Sequence, residues 1–288
     1  MYCLLTGGEA TIHPDFIEIY KYLKEKGVIV EIYTNGAQLT KQHLKLFGEY
    51  KPYKLEITIY GLSDSVFRKN TKSKFNADDV LSNIEALKEL GVNVICKTAV
   101  NSMTATEFEK IQAWCMDRDI THYHSSDITQ SYDNQTLVEF IAPSKIKLKY
   151  EVENEINFIK NYGSPITGVK KSSFSCAVGS YGLHINSNFE LQPCSSFNGK
   201  KEGYNIRELG IEQSLKQLRT YVSSIYGKPI IGCVGCESSS HCKMCPALGE
   251  EVKHKGEIIG YKTNDNYCDN IRKNHQKIMF SIEQQANN

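Results

Sequence analysis

The stretch Leu4-Leu5-Thr6-Gly7-Gly8-Glu9-Ala10-Thr11-Ile12-His13-Pro14-Asp15-Phe16 contains the end of a β-rich run, a glycine turn and the start of an amphipathic helix. Tyr2 to Thr6 reads as a strand, and Asp15 to Lys26 as a helix with Phe16, Ile19, Tyr20 and Leu23 on one face. Gly7-Gly8 lets a ligand approach the backbone closely, and Glu9 directly after it can accept hydrogen bonds from a cationic amine. The same dipeptide also makes ordinary tight turns, so its meaning depends on what surrounds it.

Outward from this stretch the pattern repeats. Val28 to Tyr33, Lys54 to Tyr60 and Val92 to Val100 read as strands, and Ile120 to His124 as a last short one. Helical runs lie between them: Thr40 to Tyr50, then Ala77 to Leu90 with Val80, Ile84, Leu87 and Leu90 in register, then Thr104 to Arg118 with Thr104 as cap and Glu107 three residues on. Such alternation predicts a parallel sheet, open or curled into a partial barrel. Ligands of these sheets bind at the carboxyl ends of the strands. Here the second and third strands lead into Thr34-Asn35-Gly36 and Ile59-Tyr60-Gly61.

With 288 residues the chain is long enough for a larger and a smaller domain. A charged amphipathic bridging helix is expected from Lys145 to Asn161 and a boundary near Gly163 to Lys171, giving domains 1–165 and 166–288. Formal net charge is +1 without a basic tract or acidic tail, so electrostatics imply neither nucleic acid nor a membrane surface. Met1 leads into a strand-like run with no secretory segment and no membrane-length apolar span, which points to the cytoplasm, where thiols stay reduced.

Seven of the ten cysteines fall after residue 175: Cys176, Cys194, Cys233, Cys236, Cys242, Cys245 and Cys268. Four form a C-x2-C-x5-C-x2-C run from Cys233 to Cys245, and paired C-x2-C loops present two soft thiolates to one centre. A disulfide framework does not suit a reducing compartment. Between zinc and iron, seven thiolates over two sites leave one site short, which suits an iron-sulfur cluster with an open iron better than two closed zinc sites.

Taken together, Leu4 to Phe16, Tyr33-Thr34-Asn35-Gly36, Glu56-Ile57-Thr58-Ile59-Tyr60-Gly61 and the cysteine tail resemble the radical S-adenosylmethionine enzymes with a C-terminal SPASM extension. That family includes maturases of ribosomally made peptides, anaerobic sulfatase activators and thioether-forming enzymes. The resemblance covers nearly the whole chain. It implies an α/β fold, a partial (βα)6 barrel lacking its first strand and helix, followed by a small cysteine-rich α+β domain with two auxiliary 4Fe-4S clusters. It further implies S-adenosylmethionine as cofactor, a peptide or protein substrate, and a reducing electron donor such as flavodoxin or ferredoxin. Gly7, Gly8 and Glu9 would contact the methionyl amine, and Thr58 the carboxylate or ribose. If strand alternation holds, Asn35 and Lys97 point to the same site, although either is equally readable as a structural polar residue.

One departure stands out. The family's C-x3-C-x2-C loop, which holds the cluster that cleaves S-adenosylmethionine, is absent, and Cys3, Cys96 and Cys115 are isolated residues suited to core packing. The chain therefore reads as a fragment, or as inactive alone, with a third cluster only in an N-terminally extended protein. In the tail, Cys176 and Cys194 flank a short hairpin in which Phe189 replaces a usual glycine, and Asn188 is expected to supply the turn. The family's interleaved pattern would assign Cys233, Cys236, Cys242 and Cys268 to one auxiliary cluster, and Cys176, Cys194 and Cys245 to the other. The open iron of the second could take a substrate cysteine, water or His184, which reads more simply as part of the hairpin.

Of the other candidates, His122 and His124 could face the cavity or a solvated loop, His241 reads as surface polar, and Trp114 as core. The alternatives from other classes are a non-catalytic metal-binding protein that binds peptides and a zinc-stabilised domain.

Overall fold

Five strands pair side by side in sequence order: β1 (Tyr2–Leu5), β2 (Ile29–Thr34), β3 (Lys54–Thr58), β4 (Val94–Ala99) and β5 (Thr121–Ser125), every pair parallel. Helices α1 (Phe16–Glu25), α2 (Lys41–Glu49), α3 (Asp64–Thr71), α4 (Ala77–Glu89) and α5 (Phe108–Asp117) fall between them. The computed structural model describes residues 1–126, 149–153, 156, 178–179, 181–197, 203–233, 236, 238, 245, 247, 249–262 and 265–286. The chain forms two compact units, Met1–Lys147 and Leu148–Asn288. The expected boundary segment Gly163 to Lys171 lies outside the described residues, as does most of the expected bridging helix, of which 149–153 and 156 are helical.

Register fixes which side chains share a face, because neighbouring parallel strands put paired residues on the same side. Val30 and Ile32, Leu55 and Ile57, and Val94 and Cys96 form one face, and all are buried in a single core with Phe16 and Tyr20 of α1, Leu46 and Phe47 of α2, Val80, Ile84 and Leu87 of α4, and Ile111 of α5. The i, i+3, i+4, i+7 spacing on the helices is what supplies that second layer. The helix starts are held by side chains. Thr40 and His43 form a reciprocal capping box on α2, and Asp79 accepts the Asn76 N–H at 2.8 Å ahead of α4.

One expectation needs correction. The capping box at Thr104 does not form. Thr104–Thr106 is a separate 3-10 turn, the Thr104 hydroxyl donates to the Ala99 carbonyl at 2.6 Å, and the Glu107 carboxylate instead accepts the N–H groups of Leu62 (2.7 Å) and Ser63 (3.2 Å). The helix α3 was not legible beforehand. Its sequence DSVFRKNT buries only Phe67, too few apolar positions for a period to register, and its start is set by Ser63, whose hydroxyl accepts the Val66 N–H at 3.4 Å.

In the second unit, β6 (His184–Ile185), β7 (Glu190–Gln192) and β8 (Tyr204–Asn205) make an antiparallel sheet, followed by α6 (Ile206–Leu209) and α7 (Ile211–Ile225). Strand β9 (Ile230–Ile231) pairs in parallel with β11 (Glu257–Lys262), which pairs antiparallel with β10 (Glu250–His254), and α8 (Asp265–Ala286) closes the unit. Leu218 and Val222 of α7 pack with Leu191, while Ile225 joins Phe197, Ile230, Ala247 and Tyr261. No helix among the described residues is long and apolar enough to cross a membrane.

Candidate functional site

The carboxyl ends of β1 and β2 are tied together by Glu9. Its Oε1 accepts from the Thr11 N–H (3.1 Å), the Thr11 hydroxyl (2.7 Å) and the Thr34 hydroxyl (2.8 Å), and its Oε2 accepts from the Asn35 N–H (2.6 Å). Four donors on one carboxylate fix both turns, and they leave Oε2 with acceptor capacity. Gly7 adopts φ +146, a region closed to other residues, and a Cβ built on either Gly7 or Gly8 would meet nothing within 4 Å. The backbone there is exposed and open to a ligand. The Asn35 side chain is partly committed, since Oδ1 accepts the Ala37 N–H at 2.9 Å, and Gly36 at φ +71 is packed against Ile57.

The second face of the sheet is polar. Register pairs Glu31 with Lys54, Tyr33 with Glu56, and Thr58 with Lys97, and Lys97 with Tyr123. Extending the Thr34–Ile57 pairing by one residue sets Asn35 level with Thr58, so Asn35, Thr58 and Lys97 form a row on three adjacent strands, joined to Glu9 at one end. Below this row, Lys54 Nζ lies 2.7 Å from Glu31 and 3.0 Å from Glu56, and Lys97 Nζ contacts the other Glu56 oxygen. Lys97 also sits 4.1 Å from the centroid of the Tyr33 ring.

Burial alone would raise the Glu56 carboxyl, but hydrogen bonds from Lys97 and Lys54 outweigh it and hold it below the ordinary carboxylate range. Burial likewise opposes the charged form of Lys97, and its bonds to Glu56 and Tyr33 raise it on balance. Burial pushes the Tyr60 hydroxyl up, against a hydrogen bond with Thr58. None of Glu31, Tyr33, Lys54 and Glu56 was picked out from sequence. The available signal was a charge at every second position of a strand, Lys54-Leu55-Glu56, inside an all-parallel sheet where continuous apolar runs are usual.

Loops above the strands are braced from behind. Asn101 is buried, its Oδ1 accepts the N–H groups of Met103 and Thr104, and its Nδ2 donates to Asn70 Oδ1 at 3.0 Å, while Asn70 donates to the Tyr60 carbonyl at 3.1 Å. His122 and His124 occupy neither of the expected places. Alternation on β5 sends Tyr123 to the Lys97 face and both histidines to the helix-covered face, where their rings lie 5.8 and 5.0 Å from Phe108. Burial lowers His122 to about 4, and its Nε2 lies 2.9 Å from the Thr98 hydroxyl. Cys3 packs against the core, Cys96 and Cys115 are buried in it, and Trp114 flanks it with its ring under the Arg118 guanidinium.

In the second unit, Cys194, Cys233, Cys236, Cys245 and Cys268 are described, whereas Cys176, Cys242 and His241 lie outside the described residues. None of the eight described cysteines of the chain is in a disulfide. Cys194, Cys233 and Cys245 pack around Phe197, Ile225, Ile230 and Tyr261, and Cys268 lies on α8 one helical turn before Arg272. Among the described residues no three His, Cys, Asp or Glu side chains are gathered closely enough for a metal ion. Thiol donors of this kind suit an iron-sulfur cluster in chemistry.

The hairpin after Cys176 differs from expectation at its turn. Phe189 itself is left-handed at φ +61, not Asn188, and Asn186 organises the bend by accepting the N–H groups of Asn188 (2.9 Å) and Glu190 (3.1 Å). The Arg207 guanidinium lies 3.4 Å from the Phe189 ring centroid and covers the exposed face of the strained residue. His184 is half-buried on β6 opposite Gln192, with burial lowering its basicity.

Residues 2–113 match the model of the radical SAM superfamily. No curated protein matches the chain. Among solved structures, polyhistidine-tagged anSMEcpe with bound AdoMet aligns with a TM-score of 0.66 at 15% identity, covering 99% of this chain and 81% of that one. Native anSMEcpe with AdoMet and the Kp18Cys peptide gives 0.65 at 16%, covering 99% and 86%. Streptococcus suis SuiB bound to precursor peptide SuiA gives 0.59 at 15%, covering 85% and 61%. At these identities the likeness is one of fold: the chain has an α/β, barrel-like fold similar to that of anSMEcpe, and the match to the radical SAM model covers residues 2–113.

Proposed function

We propose that this chain is part of a radical S-adenosylmethionine enzyme of the SPASM type, a maturase that modifies a ribosomally synthesised peptide or protein. The observation that carries this is the row Gly7-Gly8-Glu9, Asn35, Thr58 and Lys97 along the carboxyl ends of four parallel strands, with an open backbone at the glycines. Support for a peptide as substrate comes from the similar structures, two of which are described as bound to peptides.

When bound, S-adenosylmethionine together with a 4Fe-4S cluster would supply radical chemistry at a substrate C–H bond. The chain's own residues bind and orient. Backbone groups at Gly7 and Gly8 and the remaining Oε2 capacity of Glu9 meet the methionyl amine, and Thr58 and Lys97 meet the carboxylate or ribose. Tyr33 and Tyr60 flank that row as apolar surface with polar tips. In the second unit, Cys233, Cys236, Cys242 and Cys268 would hold one auxiliary cluster, and Cys176, Cys194 and Cys245 the other. The 288 residues contain no C-x3-C-x2-C, so generating the radical needs thiolates that these residues do not supply. An electron donor such as flavodoxin or ferredoxin completes the system.

Gly8→Leu tests the site. A side chain at Gly8 meets no protein atom, so the variant should unfold at the same temperature as the parent. Ligand-observed NMR should find S-adenosylmethionine affinity lowered by about tenfold or more, the scale of one filled contact. Unchanged affinity would move the site elsewhere.

A further inference from the structure

The polar chain under the proposed ligand row is an unusual use of a sheet interior. Glu31 and Glu56 have side chains only 3% exposed, yet both are paired with Lys54, and Glu56 continues to Lys97, whose side chain is 36% exposed. Buried ion pairs of this kind barely compete with apolar packing as a source of stability. They do fix direction. Lys97 Nζ is held between the Glu56 carboxylate and the face of the Tyr33 ring, which confines the ammonium to one position on the sheet.

We propose that Glu56 is a positioning residue: braced by Lys54 and Glu31, it sets the Lys97 ammonium level with Thr58 so that the ammonium meets the anionic end of the ligand on that row. This rests on the assignment of the row to S-adenosylmethionine. The acid–base order also has a reason. Lys54 neutralises both glutamates from beneath, so Glu56 can engage Lys97 without leaving a second buried carboxylate uncompensated.

A double-mutant cycle on the full chain tests this, with S-adenosylmethionine as probe and equilibrium dialysis as readout. Lys97→Met and Glu56→Gln should each weaken binding by about tenfold, and the double variant should bind no more weakly than Lys97→Met. In Glu56→Gln the Lys97 amine, followed by 13C NMR after reductive methylation, should titrate at lower pH, a change that a general loss of structure would not confine to one lysine. Wild-type affinity in Glu56→Gln alongside weakened Lys97→Met would overturn the positioning role and leave the ligand row standing. Wild-type affinity in Lys97→Met would overturn the placement of Lys97 in that row instead. Should Glu56→Gln fold poorly, the double variant, which removes both partners, decides: affinity equal to Lys97→Met supports the proposal, and a further loss contradicts it.

Discussion

The Glu9 carboxylate grips the Asn35 backbone, with Oε2 accepting its N–H at 2.6 Å, and so closes the turn after β1 onto the turn after β2. The residue proposed to recognise the ligand's amine thus also shapes the site. Glu9→Ala should leave the Asn35 and Thr11 N–H groups and the Thr34 hydroxyl without their acceptor and lower stability by about 2 to 3 kcal/mol in urea denaturation, while Glu9→Gln should retain more than half of it. A loss below about 0.5 kcal/mol in Glu9→Ala would mean the turns hold without it.

The Phe189 turn provides a test of strain against stacking. A non-glycine residue in the left-handed region costs roughly 1 to 2 kcal/mol, and an exposed cation–π contact returns roughly 0.5 to 1. Phe189→Gly should therefore be neutral or slightly stabilising, whereas Phe189→Val, β-branched and unable to stack on Arg207, should lose at least about 1 kcal/mol. Thermal unfolding of the pair distinguishes this from a hairpin that needs the ring for packing, in which case both would destabilise.

Acid sensitivity should trace in part to His122. Its folded value, about 4, lies below the ordinary 6.5, so the unfolded chain takes up the proton first. The contribution of the neutral ring is complete above pH 6.5 and declines as pH falls from there to about 4. His122→Gln should flatten the stability profile over that window, measured by denaturation at a series of pH values. An unchanged slope would assign the acid lability to other groups.

Much of the parallel sheet was legible because its signals are local: alternating β-rich and 3.6-period runs and glycine turns. The parts that were not legible depend on pairing between distant segments. Phe67 alone marks the buried side of α3, and Glu107 turns away from its own helix to hold Leu62 and Ser63, 45 and 44 residues earlier. His122 and His124 were misplaced because a two-residue period does not say which phase faces the helices; register with Cys96 and Thr98 does. At the site, Gly7, Gly8, Glu9, Asn35, Thr58 and Lys97 were named from motif and alternation. The chain from Glu31 to Lys97 was not, because the alternating charges of Lys54-Leu55-Glu56 do not say which residues of the neighbouring strands, Glu31 and Lys97, they meet.

The central claim, a radical S-adenosylmethionine fold joined to a domain with two auxiliary clusters, is tested most directly by metal content. Anaerobic expression and reconstitution of the whole chain should yield roughly seven to eight iron and as much acid-labile sulfide per molecule, with broad visible absorption. Stoichiometric zinc with no sulfide would contradict it.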